Sequence, residues 1–310
     1  MELIYLSYED YKKNSLPIVA AIGQFDGLHI AHLSLINKTL EISKEKKIKS
    51  AIITFDPHPD FVLKKENTNT YVTPLDEKIN LLDKIGIDYI FIIKFDNDIA
   101  DLKPVEFIKN ILLENNVKEV VVGFDFCFGK FGSGKAVDIS SLSNDLIKTT
   151  IIDEIKYNDE KIGTTLIKKL LNDGFVNEVY KILGRFYKIS GFVVGGNKVG
   201  RTINLPTANL NIDNKFANIK TGVYVVRILI DNKFYFGFAN YGNNPSFNES
   251  KNMVFETHIF EFNDDLYGKK IEVELLDYIR NEIKFNSKDD FLKQIKNDKE
   301  YALSYIKNFN

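Results

Sequence analysis

Pro17-Ile-Val-Ala-Ala-Ile-Gly-Gln-Phe-Asp-Gly-Leu-His-Ile-Ala-His32 is the stretch on which the fold turns. The apolar run Ile18 to Ile22 predicts a short buried strand, Gly23 to Gly27 a tight turn, and Ile30 to about Ser43 an amphipathic helix. A strand that passes through glycines into a helix builds a phosphate site, because the helix start presents unpaired N–H groups and a positive dipole end. His29 and His32 stand three apart, so on a helical first turn they point to one side. A single histidine there can equally be a cap or a surface residue. A pair aimed at one anion site supplies hydrogen-bond donors for a triphosphate, and two of the chain's four histidines are here.

Working outward, 310 residues with 44% apolar composition allow two domains with ordinary cores. The formal charge is -2 and basic residues alternate with acidic ones, so no basic stripe points to a nucleic-acid partner. Met1-Glu-Leu-Ile-Tyr-Leu-Ser lacks the positive start of a signal peptide, and no apolar run reaches the ~20 residues that span a bilayer. The expectation is a cytoplasmic protein with no membrane partner. The lone cysteine, Cys127, cannot form an internal disulfide and reads as a small half-buried hydrophobe.

The first half alternates strand and helix. Ile48 to Phe55 is a second strand, ending in Asp56-Pro-His-Pro59, which places His58 at a strand's carboxyl end, where open α/β sheets bind ligands. A helix follows from Thr73-Pro-Leu75 to Lys84 with the threonine as N-cap, then a strand over Tyr89 to Phe95. Pro104 to Asn115 predicts a helix with Val105, Ile108, Ile111 and Leu112 on one face. The strand Val117 to Gly123 runs into Gly123-Phe-Asp-Phe-Cys-Phe-Gly129, where glycines among aromatics suggest a loop that covers a planar ligand. Thr149 to Ile155 predicts another strand, and a helix runs from Gly163-Thr-Thr165 to about Ile182. Thr164 and Thr165 can cap it or donate to phosphate, with Lys168 one turn in. Together these elements predict an α/β doubly wound parallel sheet.

After Gly184 the rhythm changes to short strands, predicting an antiparallel β-barrel over 184–310 and a boundary at 183/184. Strands are expected at Gly191 to Val194, Gly222 to Ile230, Phe234 to Tyr241, Val254 to Phe262 and Ile271 to Arg280. Ser287 caps a C-terminal helix that packs through Phe291, Ile295, Tyr301 and Ile306. The turn holding Gly195, Gly200 and Arg201 can wrap phosphate or serve only as a glycine hairpin. In Pro206-Thr-Ala-Asn209 the proline fixes the backbone and places Thr207 and Asn209 on one side of an extended chain, oxygen donors suited to Mg²⁺. Glu256 is a carboxylate in an apolar strand and a candidate general base.

Gly23-x-Phe25-Asp26-Gly27-x-His29-x-x-His32 resembles the signature of the HxGH nucleotidylyltransferases, and more closely the first module of bifunctional riboflavin kinase/FAD synthetases. Gly123-x-Asp125-Phe126-x-Phe128-Gly129 is similar to that module's second motif. Gly184-Arg-x-Tyr187, Pro206-Thr-Ala-Asn209, Asp265-Leu-Tyr-Gly268 and Arg280-x-Glu282-x-x-Phe285 resemble riboflavin kinase. Ala31, Cys127 and Lys168 replace the family's usual glycine, arginine and arginine. The resemblance implies an FMN adenylyltransferase domain over 1–183 and a riboflavin kinase domain over 184–310. It also implies riboflavin, FMN and ATP as substrates, with Mg²⁺. Carried over residue by residue, Glu256, His29 and His32 are catalytic. Gly23, Phe25, Asp26, Gly27, Asp125, Thr164, Thr165, Lys168, Gly195, Gly200 and Arg201 bind nucleotide, Thr207 and Asn209 hold the metal, and His58, Phe126, Phe128 and Arg280 meet the flavin. A kinase with a weak first module, or a flavin-binding regulator without catalysis, is the alternative.

Overall fold

The structure is a computed structural model that describes residues 1–11, 14–64, 70–195, 207–212, 215–243, 253–262 and 264–309. The chain divides into two compact units, Met1–Thr164 and Thr165–Asn310.

The first unit is built on a six-stranded parallel sheet. Its strands are β1 (Glu2–Leu6), β2 (Ile18–Ile22), β3 (Lys49–Asp56), β4 (Tyr89–Lys94), β5 (Val117–Gly123) and, after a two-residue hairpin of β6 (Cys127–Phe128) with β7 (Gly134–Lys135), β8 (Lys148–Ile152). Their order is β1-β4-β3-β2-β5-β8. From β2 the chain winds outward through β3 to β4, then reverses to β5 and β8. The strand order therefore switches between β2 and β5, the place where open α/β sheets form a crevice beyond the strand ends. Both faces are covered, which is why β2 reads as an unbroken apolar run. Ile18, Ala20 and Ile22 pack into one core with Ile53, Phe91 and Val120. Val19 and Ala21 pack into the other with Ile52, Ile90 and Val121.

Helix α1 (Ile30–Lys46) leaves β2 through the predicted turn. Several sequence expectations change here. Pro74, not Thr73, takes the N-cap position of the helix Leu75–Ile85 and makes no side-chain cap bond. The helix expected from Pro104 is α-helical only to Phe107 and widens into a π-helix over Ile108–Leu113. That wider turn shifts the phase, so Phe107 joins Ile108, Ile111 and Leu112 inside while Val105 faces solvent. Cys127 is exposed rather than half-buried. The strand β1 was not predicted at all. It lies at the sheet edge, where only Ile4 and Leu6 are buried, so its apolar signal is weak.

A second two-stranded hairpin, β9 (Lys156–Tyr157) with β10 (Glu160–Lys161), precedes Thr164. The long helix expected to Ile182 is two helices, Thr164–Asp173 and Val176–Leu183. Gly174 interrupts it at φ +84°, a left-handed conformation that glycine adopts without strain.

The second unit holds a closed six-stranded barrel of antiparallel pairs. The strands are β11 (Tyr187–Val194), β12 (Thr207–Ile212), β13 (Gly222–Ile230), β14 (Lys233–Asn243), β15 (Met253–Ile259) and β16 (Lys270–Arg280), in the order β11-β12-β15-β14-β13-β16. Tyr224, Val226, Ala239, Phe255 and Thr257 are wholly buried and share the inner face by register. The C-terminal helix, Lys288–Lys307, is capped by Ser287, whose hydroxyl accepts from the Asp290 N–H. It packs Ile295 and Ala302 on Val223, Val225, Phe238 and Leu276, which belong to the outer face. Tyr301, expected in that contact, is exposed and donates its hydroxyl to Asp277 at 2.7 Å. The packing stripe passes instead through Asp298.

Candidate active sites

In the first unit, the loops after β2, β5 and β8 enclose a cleft of about 280 Å³ at the switch point. Gly23, Phe25, His29 and His32 line it from the β2 side, Asp125 and Phe126 from the β5 side, and Thr164 closes it. The backbone turns sharply to do so. Phe25 sits at φ 51°, Gly27 at φ 84° and Leu28 at φ 42°. Phe25 and Leu28 are fully buried, so packing holds the two non-glycine positions in this uncommon region. His29 is the N-cap of α1. Its Nδ1 accepts the His32 N–H at 3.3 Å, and the two imidazoles stack with centroids 3.6 Å apart. Both rings therefore present themselves together at the positive end of a helix of 17 residues.

Asp26 and Gly27 are not among the residues lining the cleft. Asp26 is buried and accepts the Thr73 N–H at 2.9 Å and the Val72 N–H at 3.2 Å, so it ties the turn to the segment before the next helix. Behind the same turn lies Lys78, a residue sequence reading missed. Its ammonium donates to the Gln24 carbonyl at 2.6 Å and to Thr54 at 3.3 Å. Burial pushes it down to about 8, against the pull of Asp26 and Asp56. Lys161 was also missed. It lines the cleft, pairs with Asp125 and lies over the Phe124 ring at 5.0 Å. Thr165 and Lys168 lie on the helix Thr164–Asp173 and fall within the second compact unit.

A larger cavity of about 780 Å³ adjoins the cleft through Phe126, which lines both. Phe55, Phe95, Phe126, Phe128 and Phe131 give it aromatic walls. Of the residues expected to meet the flavin, Phe126 and Phe128 line this cavity. His58 is not among the lining residues, although its neighbours Pro59 and Asp60 are. Its Nδ1 instead accepts the Asp60 N–H at 3.1 Å and caps a short helix.

In the barrel, strand register assembles the other constellation. Asn209 pairs with Glu256, and Glu256 pairs with Asn240 on its other side. One step along, Thr207 pairs with His258, and His258 with Phe238. Residues two apart share a face, so Thr207, Asn209, Glu256 and His258 all lie outside the barrel, opposite Ala208 and Thr257. Gly195 is exposed at the end of the preceding strand beside the Tyr267 ring, while Gly200, Arg201 and Pro206 lie outside the described residues. Arg280 is engaged by the C-terminal helix. Its Nε donates to Asp298 at 2.9 Å and its Nη2 at 2.6 Å. The two-pronged pair, with Asp298 fully buried, fixes the helix against the strand.

His258 stacks on Phe238 at 4.6 Å, and its Nδ1 has no hydrogen-bond partner among the described residues. Burial pushes its pKa from 6.5 down to about 4, with Asp298 opposing. A histidine kept neutral in the fold and protonated in the unfolded chain loses stability as pH falls from about 6.5 towards 4. The loss is about 2 kcal/mol at pH 5. Melting curves of the full chain at pH 7 and pH 5 should therefore converge in a His258→Gln variant. An equal acid shift in both proteins would assign the sensitivity elsewhere.

The FAD synthetase family model matches residues 11–166, and the riboflavin kinase family model matches residues 183–306. The bifunctional riboflavin kinase/FMN adenylyltransferase of Bacillus subtilis is 34% identical, with 99% of each chain covered. The chain belongs to the bifunctional riboflavin kinase/FMN adenylyltransferase family. The Escherichia coli K12 member is 32% identical over 93% of this chain and 92% of its own. A crystal structure described as a macrolide-efflux protein from Streptococcus pneumoniae superposes with a TM-score of 0.89. It is 30% identical, covering 97% of this chain and 99% of that one. That description is said of the Streptococcus pneumoniae protein alone and not of the present chain. Among its described residues no helix is long and apolar enough to cross a membrane.

Proposed function

We propose that the chain phosphorylates riboflavin to FMN at the barrel and adenylylates FMN to FAD at the switch-point cleft, using one ATP for each step. Residues 1–183 and 184–310 would be the two catalytic domains. One observation carries the reading: each unit holds its own constellation, the stacked His29 and His32 in the first and the Asn209–Glu256–Asn240 row in the second.

In the kinase step the 5′-hydroxyl oxygen of riboflavin bonds to the γ-phosphorus of ATP. The bond to the β–γ bridging oxygen breaks, ADP leaves, and Glu256 takes the hydroxyl proton. Thr207 and Asn209 offer two neutral oxygens on one face, which fits Mg²⁺, an ion that keeps several waters and takes few protein ligands. When bound, the ion would neutralise phosphate charge. In the second step an FMN phosphate oxygen bonds to the α-phosphorus of another ATP and pyrophosphate leaves. Neither step needs a covalent enzyme intermediate. His29 and His32 would donate to the phosphates, with Thr164 as a further contact, and the aromatic cavity beyond Phe126 would take the flavin ring. Gly195, Gly200 and Arg201 would hold the kinase nucleotide. His58 would act by shaping the loop beside Pro59 and Asp60.

Labelled ATP tests the whole scheme with the intact chain. Riboflavin plus γ-labelled ATP should give labelled FMN, and α-labelled ATP should give labelled FAD. A kinase with an inactive first module, the reading that Ala31, Cys127 and Lys168 favour, would give FMN and no α-label in any flavin. Flavin binding without either label would identify a regulator.

A further inference from the structure

Phe131 is the most exposed large hydrophobic residue among those described, 95% accessible. It stands at the mouth of the aromatic cavity while Phe128, deeper in the wall, is buried. Its backbone is left-handed, at φ 57° and ψ 19°, between Gly129 at φ 72° and Gly132 at φ 62°. The turn that carries it is pinned. Lys130 N–H donates to the Leu102 carbonyl at 2.6 Å, Gly132 N–H donates to the Gly129 carbonyl at 2.8 Å, and Gly129 lies so close to Pro104 that a Cβ there would meet its nitrogen at 2.8 Å. Lys130 pairs with Asp101 across the rim at 2.9 Å and lies 5.5 Å from the Phe131 ring. A fixed turn therefore displays a phenyl ring beside a cavity that Phe55, Phe95, Phe107, Phe126 and Phe128 line together with aliphatic and charged residues.

We infer that Phe131 is a specificity-determining residue for the flavin acceptor, covering one face of its ring system once the cavity is filled. The inference rests on the reading that this cavity takes the flavin of FMN. An apolar ring held out in water gains on contact with a planar aromatic ligand, and stacked pairs gain beyond the area they bury. The γ-phosphoryl transfer at the barrel makes no use of this residue.

Phe131→Ala should raise KM for FMN in FAD formation about 10-fold, with KM for ATP and riboflavin phosphorylation unchanged. Phe131→Tyr should restore the wild-type KM. The chain has no tryptophan, so Phe131→Trp introduces a single reporter whose emission should fall as FMN is added. Phe126→Ala, inside the cavity, separates the role of the cavity from that of Phe131. If Phe126→Ala raises KM for FMN and Phe131→Ala leaves it within about twofold, the cavity reading stands and the role of Phe131 is overturned. If neither variant moves it, the cavity is not the flavin site and the inference falls with it.

Discussion

Glu256→Gln is expected to lower FMN formation from riboflavin about 1000-fold while leaving FAD formation from added FMN at the wild-type rate. Glutamine keeps the shape and the hydrogen-bonding reach of the side chain but cannot accept the hydroxyl proton. Its position is set by the backbone rather than by the carboxylate, since β15 is paired on both sides, to Asn209 and to Asn240. The residue is half-buried, so the exchange leaves no stranded charge and the barrel should melt as before. Chromatographic separation of FMN and FAD from one reaction reads both activities at once. Retained riboflavin phosphorylation would remove Glu256 as the base. Loss of both activities would show that the variant damages more than the kinase site.

What the sequence made legible follows from how locally each feature is encoded. The run Ile18 to Ile22 fixed a buried parallel strand, because all its residues are apolar and glycines follow at once. The pairing of Glu256 with Asn209 was beyond reach of local pattern, since it joins strands 47 positions apart through register alone. Periodicity also failed where the helix itself departs from 3.6 residues per turn. The π-helix at Ile108–Leu113 moved Val105 outward in a way no apolar count anticipates. Asp26 shows a different gap. The motif marks it as a nucleotide contact, yet its carboxylate is occupied by the Val72 and Thr73 N–H groups, whose loop the sequence does not place. Lys78 escaped for the opposite reason. A lysine in a helix reads as solvated, and only the tertiary fold drives this one to 2% exposure beneath the Gln24 turn.

The histidine pair carries the second large effect, and its test has to separate chemistry from capping. His29 does two things at once. Its Nδ1 accepts the His32 N–H, and its ring stacks on the imidazole of His32 at the cleft. His29→Ala removes both, so a fall in FAD formation could follow from a frayed helix start, a loss worth about 1 kcal/mol. His29→Asn keeps a side-chain oxygen that can accept the same N–H, and asparagine is among the strongest capping residues. His29→Asn should therefore melt like the wild type yet form FAD about 100-fold more slowly, because it no longer stacks on His32 or offers an imidazole to the phosphates. His32→Ala should show a loss of similar size, and the double variant much less than the product of the two, since stacked groups that act on one charge are not independent. Riboflavin phosphorylation, measured in the same samples, should stay unchanged. If His29→Asn restores FAD formation together with stability, the histidine is a cap and nothing more, and the anion-binding role passes to the helix N–H groups alone.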